Sequence, residues 1–250
     1  MRIGILGAGG MADALGTQWA RAGHEVMISG RDASASAARA ATMTAEAART
    51  SAEMASVRTE MASVRTEVAG ARAEVAGAAA VAGARGEVVA VRAGSWAEAA
   101  AFGEVVMVAV RQAGLAGVLE SAGGALRGKP VIDVANAEGP YDPARPIAPL
   151  IRDLTGGHVV KAFNLCHVDV WRLTPPVFDG RPLAVPLCGD DPAALAAVRT
   201  LVADLGCTPV DGGGLDRAVL LEATAAFMIG LWFGGADAQA VLPPVAYSGV

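Results

Sequence analysis

Three small residues stand at fixed spacing in the segment Gly7-Ala8-Gly9-Gly10-Met11-Ala12, directly after the apolar run Arg2-Ile3-Gly4-Ile5-Leu6. This G-x-G-x-x-A spacing is suited to holding a pyrophosphate against backbone N–H groups. Gly7 permits a tight turn out of a strand, Gly9 lets the backbone approach the phosphates, and Ala12 lets the next helix lie close to the sheet. That helix, expected over residues 13–21, points its unpaired N–H groups and positive dipole end at the anion. Ala22-Gly23 ends it, and Glu25 to Ser29 reads as a second strand. Glycine turns are common, so the context decides: a strand enters, a helix leaves, and a second strand follows at the right distance.

The end of the second strand selects the nucleotide. A site for NAD carries a carboxylate there, about 20 residues past the glycines, to accept the ribose hydroxyls. Here the residues are Ser29-Gly30-Arg31. A serine hydroxyl and a guanidinium fork suit a 2′-phosphate, so the expected cofactor is NADP(H), although Asp32 follows at once. The plainer alternative for Arg31 is a solvated loop cap.

Further polar residues fall where parallel strands are expected to end, the ligand side of such a sheet. Val105 to Val110 is a continuous apolar run, as in a strand buried on both faces, and it ends at Arg111-Gln112. Pro130 to Asn136 is another, ending in an amide that can bond a nicotinamide ribose or carboxamide, or simply cap a turn. Val159 to Asn164 is a third, followed by Leu165, Cys166, His167 and Asp169. If the hydride acceptor needs a proton, His167 is the first candidate acid, because it follows a strand end and titrates near neutrality. Asp169, Tyr141 and Arg111 are weaker ones. His24 and His158 precede strands and lie at the opposite edge.

The remaining elements read as a frame for these ends. A strand is expected at residues 87–91, a capped helix from Ser95 with Glu98 three residues on, and a helix from Leu115 to Leu126. Residues 183–188 read as an edge-like strand because of Pro186. Asp191-Pro192 opens a helix with a cap and a proline at its first position, and residues 207–211 return as a strand. The last helix, 216–233, is apolar nearly all round and therefore needs covering, most simply by a second subunit. The fold class is α/β: a doubly wound parallel sheet over residues 1–160 and a small C-terminal acceptor and dimerisation domain over residues 161–250.

Between the second and third strands lies a seven-residue repeat that opens with Glu53-Met54-Ala55-Ser56-Val57-Arg58-Thr59 and recurs from Glu60. With Met54, Met61, Val68 and Val75 at a and Val57, Val64, Ala71 and Ala78 at d, this is coiled-coil grammar. The insertion spans about residues 44–86 and reads either as a helix that pairs subunits or as a long solvated helix with no such role.

The chain has 250 residues and a net charge of −5, which gives neither nucleic acid nor an anionic membrane an obvious purchase. Its three cysteines are an odd set without metal-ligand spacing, and suit a reducing cytoplasm. No metal site is expected, no secretory leader is evident, and the most apolar segment, 218–233, is too short for a membrane span.

Several of these segments, in this order, resemble the NADPH-dependent reductases of the deazaflavin coenzyme F420: Ile3 to Arg31, Val131 to Asn136, Val159 to Asn164, Val185 to Asp191 and Val210 to Gly214. The likeness covers the whole chain except the heptad insertion and the proline-containing tail. It implies hydride transfer between nicotinamide and deazaflavin, commonly in a homodimer. It places the 2′-phosphate at Ser29 to Arg31, the nicotinamide beside Val110, Arg111 and Asn136, and the deazaflavin near Asn164, Leu165 and Cys166. Arg111-Gln112 stands where such reductases often have proline and an aromatic, and Cys166-His167 where they often have small or aliphatic residues. The expected function is therefore an NADP(H)-dependent oxidoreductase acting on F420 or a related small-molecule acceptor. The alternatives are an NADPH-dependent reductase of an imine, ketone or activated alkene, and a non-catalytic NADP(H) sensor or scaffold.

Overall fold

The computed structural model describes residues 1–69, 89–237 and 241. Ten strands and seven α-helices are formed by these residues. Strands β1 (Arg2–Leu6), β2 (Glu25–Ser29), β3 (Arg92–Gly94), β4 (Val105–Val108), β5 (Pro130–Asp133) and β6 (His158–Lys161) pair in parallel in the order β6-β5-β4-β1-β2-β3. The order reverses direction between β4 and β1, the crevice where this class of sheet takes its ligands. After a two-stranded ribbon of β7 (Val177–Phe178) and β8 (Arg181–Pro182), β9 (Ala184–Gly189) joins β6 antiparallel and β10 (Thr208–Gly213) joins β9.

The expected boundary near residue 160 thus falls inside β6, and β9 and β10 extend the same eight-stranded sheet rather than building one of their own. Nor is β9 an edge: it lies between β6 and β10. Its pairing with β6 covers only Cys188 and Gly189, so Pro186 lies past the end of β6 and takes no ladder position from it.

Helices α1 (Gly10–Arg21), α2 (Ala33–Ala69), α3 (Trp96–Phe102), α4 (Leu115–Ala122), α5 (Ile147–Thr155), α6 (Pro192–Asp204) and α7 (Ala218–Phe233) complete the frame. One apolar cluster packs α1, α2 and α6 on one face of the sheet, and a second packs α3, α4 and α5 on the other. Local signals account for the ends. Ser95 and Glu98 form a capping box, Asp191 Oδ1 accepts from Ala194 N at 2.7 Å, and Gly123 breaks the helix expected to reach Leu126 into α4 and a single 3₁₀ turn. The third strand lies later than its valines suggested. Met27, Ile28 and Ser29 pair with Arg92, Ala93 and Gly94, while Val91 is buried and its N–H is taken by the Thr44 hydroxyl at 2.9 Å.

Helix α2 runs unbroken from Ala33 to Ala69, about 55 Å at 1.5 Å per residue. Its first half docks through Ser36, Ala40, Met43 and Ala47, all buried and spaced at i, i+4, i+7 and i+11. The side chains of Met54 and of residues 57–69, and residues 70–88 altogether, lie outside the described residues, and with them the heptad positions. Helix α7 departs most from expectation within one subunit: of its sixteen residues only Ala218, Glu222 and Ala225 are buried, and Phe227 and Phe233 are 60% and 90% exposed.

Candidate functional site

The glycine turn has the geometry its spacing implies. Gly7 has φ +148°, and a Cβ there would run into the Ala109 carbonyl of the loop after β4. Gly9 is the N-cap of α1 with no side chain capping it, and a Cβ on it would meet nothing within 4 Å. An open approach to uncapped first-turn N–H groups is what a pyrophosphate requires. Ala12 is fully buried where α1 meets the sheet. Gly10 faces the segment after β6, with Val168 Cγ2 3.3 Å from where its Cβ would be. Asp13, buried in the first turn, braces the same contact through Arg172 at 2.6 Å and ties α1 to α2 through Arg39 at 3.3 Å.

At the end of β2 the three expected phosphate ligands separate. Ser29 is fully buried, and its hydroxyl donates to the Ile5 carbonyl at 2.9 Å. It therefore ties β2 to β1 and is withdrawn as a phosphate ligand, because an inward-facing strand position cannot also reach solvent. Gly30 is needed for space, since a Cβ would lie 2.5 Å from Ser36 Oγ and 3.1 Å from Ala8 Cβ. Arg31 is exposed and makes no ion pair among the described residues. Asp32 caps α2: its Oδ1 accepts from Ser34 Oγ at 2.6 Å and from Ala35 N at 2.9 Å. Those bonds hold its carboxyl below the ordinary aspartate range. The carboxylate that blurred the choice of nucleotide is thus spent on a helix, leaving Arg31 as the charged group free to meet a 2′-phosphate.

The loops after β1, β4, β5 and β6 open on one cleft of about 440 Å³, within the range of small-molecule sites. Gly9, Gly10 and Met11 line it from the first loop, Val110 and Arg111 from the second, Asn136 from the third, and Asn164 and Cys166 from the fourth. Eight residues singled out from the sequence therefore meet at the carboxyl edge of four adjacent strands. Ala109, Val134, Ala135, Glu138 and Phe163 also line it and were not foreseen. Glu138 sits on a loop whose partner, Arg111 Nε, is 3.2 Å away, and nothing in the sequence links the two. Leu165 does not line the cleft.

His167 also lies outside it, which removes it as the candidate acid. Its ring is 72% exposed, with Nδ1 3.4 Å from Asp169 N and 3.3 Å from Asp169 Oδ2, so it caps the 3₁₀ turn of residues 168–172. Tyr141 is held aside as well: its hydroxyl donates to the Val219 carbonyl at 2.8 Å. Burial and the nearby Glu222 raise its pKa and keep it a neutral phenol. Of the titratable groups that do line the cleft, Arg111 and Glu138 are paired with each other, and burial pushes the Cys166 thiol up.

Beneath the cleft is a fully buried charge cluster. Lys161 Nζ donates to Asp133 Oδ2 at 2.9 Å and to the Ala135 carbonyl, with Glu222 Oε1 3.4 Å away. Asp133 Oδ1 in turn accepts from Ala135 N at 2.9 Å, and Glu222 accepts from Ile147 N and Ala148 N at the start of α5. A lysine inside the apolar run Val159-Val160-Lys161-Ala162-Phe163, and a glutamate interrupting the apolar helix 218–233, are the sequence signals that mark it.

Fold and cleft together define a dinucleotide-binding protein of Rossmann type. Residues 2–65 match the family described as NADP oxidoreductase, coenzyme F420-dependent. Across nearly its whole length the chain is similar to the solved structure of a candidate F420-dependent NADP-reductase from Arthrobacter sp. FB24. The two are 25% identical, with 94% of this chain and 96% of that one covered and a TM-score of 0.67. It shares its fold with the Streptomyces aurantiacus imine reductase, at 14% identity, 93% and 62% coverage and a TM-score of 0.59. It shares it too with the Aspergillus terreus reductive aminase solved with NADPH and ethyl-5-oxohexanoate, at 17% identity, 93% and 62% coverage and a TM-score of 0.57. The chain spans about three fifths of the length of these last two. It is an NADP-dependent oxidoreductase, and its residues 2–65 resemble that family.

Proposed function

We propose that this protein transfers hydride between NADP(H) and a deazaflavin, coenzyme F420 or a chemical relative of it. The observation that supports this acceptor is the lack of a poised acid among the described residues lining the cleft. Arg111 and Glu138 neutralise each other, Cys166 is held as a thiol, and His167 and Tyr141 are turned to structural bonds. When bound, the nicotinamide supplies or takes hydride, and a deazaflavin completes its reduction with a solvent proton, whereas an imine, ketone or activated alkene needs a placed donor.

The residues present fit such a pair. The first turn of α1 holds the pyrophosphate, Arg31 meets the 2′-phosphate, and Asn136 faces the nicotinamide. Met11, Val110, Val134 and Phe163 supply the apolar walls that keep water from the reacting carbons. In this reading Asn164 and Cys166 bound the acceptor side.

Anaerobic mixing of the protein, NADPH and oxidised F420 tests it. Loss of the deazaflavin's visible absorbance is the expected result. NADPH binding without bleaching, together with turnover of an imine or ketone, would replace this acceptor with the second reading. NADPH binding without turnover of any acceptor would favour a sensor.

The assembly we propose is a homodimer in the cytoplasm built on α7. Leu220, Phe227, Trp232 and Phe233 on α7, and Leu150 and Leu154 on α5, are apolar and exposed, and a second copy can cover them by two-fold symmetry. No helix of the described residues is long and apolar enough to cross a membrane.

A further inference from the structure

Two amides at the cleft are bonded to each other in a pattern that fixes which end of each is oxygen. Asn136 Nδ2 donates to the Asn164 carbonyl at 2.8 Å, and Asn164 Nδ2 donates to Asn136 Oδ1 at 3.0 Å. Asn164 Nδ2 donates again, to the Leu221 carbonyl in the first turns of α7, at 3.1 Å. Two acceptors around one nitrogen leave that amide a single orientation. The cost is visible: Asn164 is 4% exposed and its Oδ1 has no hydrogen-bond partner among the described residues, an arrangement rare enough in a protein interior to need a reason.

The backbone carries a second cost at the same place. Phe163, immediately before, has φ +61°, a left-handed conformation unfavourable for a residue with a Cβ. Its ring is held edge-on between Trp19 and Trp171, with centroids 5.9 and 5.3 Å away. The turn at Phe163 is what brings the Asn164 amide across from β6 to the loop after β5. Unfavourable geometry that is overdetermined by packing concentrates at functional positions.

Asn136, the partly exposed member of the pair, is left with one N–H and one lone pair of Oδ1 unused. A primary carboxamide offers the complement, one acceptor and one donor. We infer that Asn136 reads the nicotinamide carboxamide, and that Asn164, anchored to α7, is a positioning residue that sets which end of the Asn136 amide is oxygen. The carboxamide is thereby held in one rotamer, and the ring with it, so that a single face of nicotinamide C4 looks toward the acceptor. This rests on the NADP(H) reading above and deepens it.

The test compares NADP⁺ with its 3-acetylpyridine analogue, in which a methyl group replaces the carboxamide NH₂ and one donor is lost. Affinities are measured by calorimetry for the wild-type chain, Asn136→Ala, Asn164→Ala and Asn164→Asp. The wild type is expected to prefer NADP⁺ by about tenfold, the scale of one buried amide hydrogen bond. Asn136→Ala is expected to bind the two cofactors within about twofold of each other, and Asn164→Ala and Asn164→Asp, in which the backbone carbonyl of residue 164 still accepts from Asn136 Nδ2, are expected to keep only about a threefold preference. The double Asn136→Ala/Asn164→Ala variant should lose no more of the preference than Asn136→Ala alone. A purely structural role for Asn164 would weaken both cofactors equally and preserve the ratio, which would overturn the inference. Equal wild-type affinity for the two cofactors would overturn it too. Wild-type protein that bound neither cofactor would instead defeat the NADP(H) reading itself. Circular dichroism of each variant shows whether it folds. Should Asn164→Ala fail to fold, Asn164→Asp with the same analogue pair carries the test.

Discussion

Replacing Lys161 by Met removes the only cation of the cluster formed by Asp133, Lys161 and Glu222, whose side chains are 0%, 0% and 1% exposed. The methylene stem is conserved in volume, so no large cavity opens, and the effect isolates charge. Asp133 keeps its bond from Ala135 N and Glu222 keeps those from Ile147 N and Ala148 N. These hydrogen bonds do not replace an ammonium 2.9 and 3.4 Å away. Breaking a buried ion pair from one side costs about 3–5 kcal/mol, and for a chain of this size each kcal/mol moves the melting midpoint by roughly 2–4 °C. The expected loss is therefore roughly 6–20 °C, measured by calorimetry and by urea unfolding at constant m. Adding Glu222→Gln to Lys161→Met removes one uncompensated charge while keeping an oxygen for the α5 N–H groups, and should recover part of the loss. A Lys161→Met midpoint within 2 °C of wild type, or a double variant no more stable than the single, would refute the view that this lysine neutralises the cluster.

Gly7→Ala should abolish NADPH binding and lower stability, since a Cβ would meet the Ala109 carbonyl at φ +148°; an alanine variant of normal affinity by fluorescence titration would contradict that. Phe163→Ala should cost about 3–5 kcal/mol in urea unfolding by emptying the space between Trp19 and Trp171, and a loss below 1 kcal/mol would mean the aromatic stack is loose. Because burial raises the Cys166 pKa, the thiol form persists through neutral pH. Alkylation by iodoacetamide, followed by mass spectrometry, should accelerate only above the ordinary thiol range, and NADPH should slow it. Fast labelling at pH 7 that ignores the cofactor would place Cys166 outside the cleft. The α7 surface predicts a dimer by light scattering that Phe227→Asp dissociates, and a monomeric wild type would remove that proposal.

How much of this was legible in the sequence followed from how local each determinant is. The glycine turn, the buried runs of β4, β5 and β6, the Ser95 box and the Asp191 cap each depend on residues a few positions apart, and each stands where its spacing put it. The expected position of β3 differs from the observed one because Val91 is buried beside the strand rather than in it, and the register is set by Met27 to Ser29 across the sheet. Ser29 reads as a ligand because it ends the second strand, two residues before Arg31, with a hydroxyl suited to a 2′-phosphate. Only the β1–β2 pairing shows its hydroxyl turned inward to Ile5. His167 follows a strand end as a catalytic acid would, yet the turn at 168–172 carries its ring outward. The Asn136–Asn164 pair and the Lys161 cluster depend on β5 lying beside β6 and on α7 returning over both, contacts between residues 28 to 75 positions apart that no local pattern encodes. Lys161 within an apolar run and Glu222 within an apolar helix are the visible traces of them.

In the proposed function, the turn at Gly7 to Ala12 and the guanidinium of Arg31 together hold a 2′-phosphorylated dinucleotide. Calorimetric titration of the wild-type chain and of Arg31→Ala with NADPH and with NADH tests it directly. Wild type is expected to prefer NADPH, and Arg31→Ala to lose about ten- to a hundredfold of affinity for NADPH, the scale of a charge-assisted hydrogen bond, with NADH unaffected. No heat with either nucleotide, or an unchanged preference in Arg31→Ala, would contradict it.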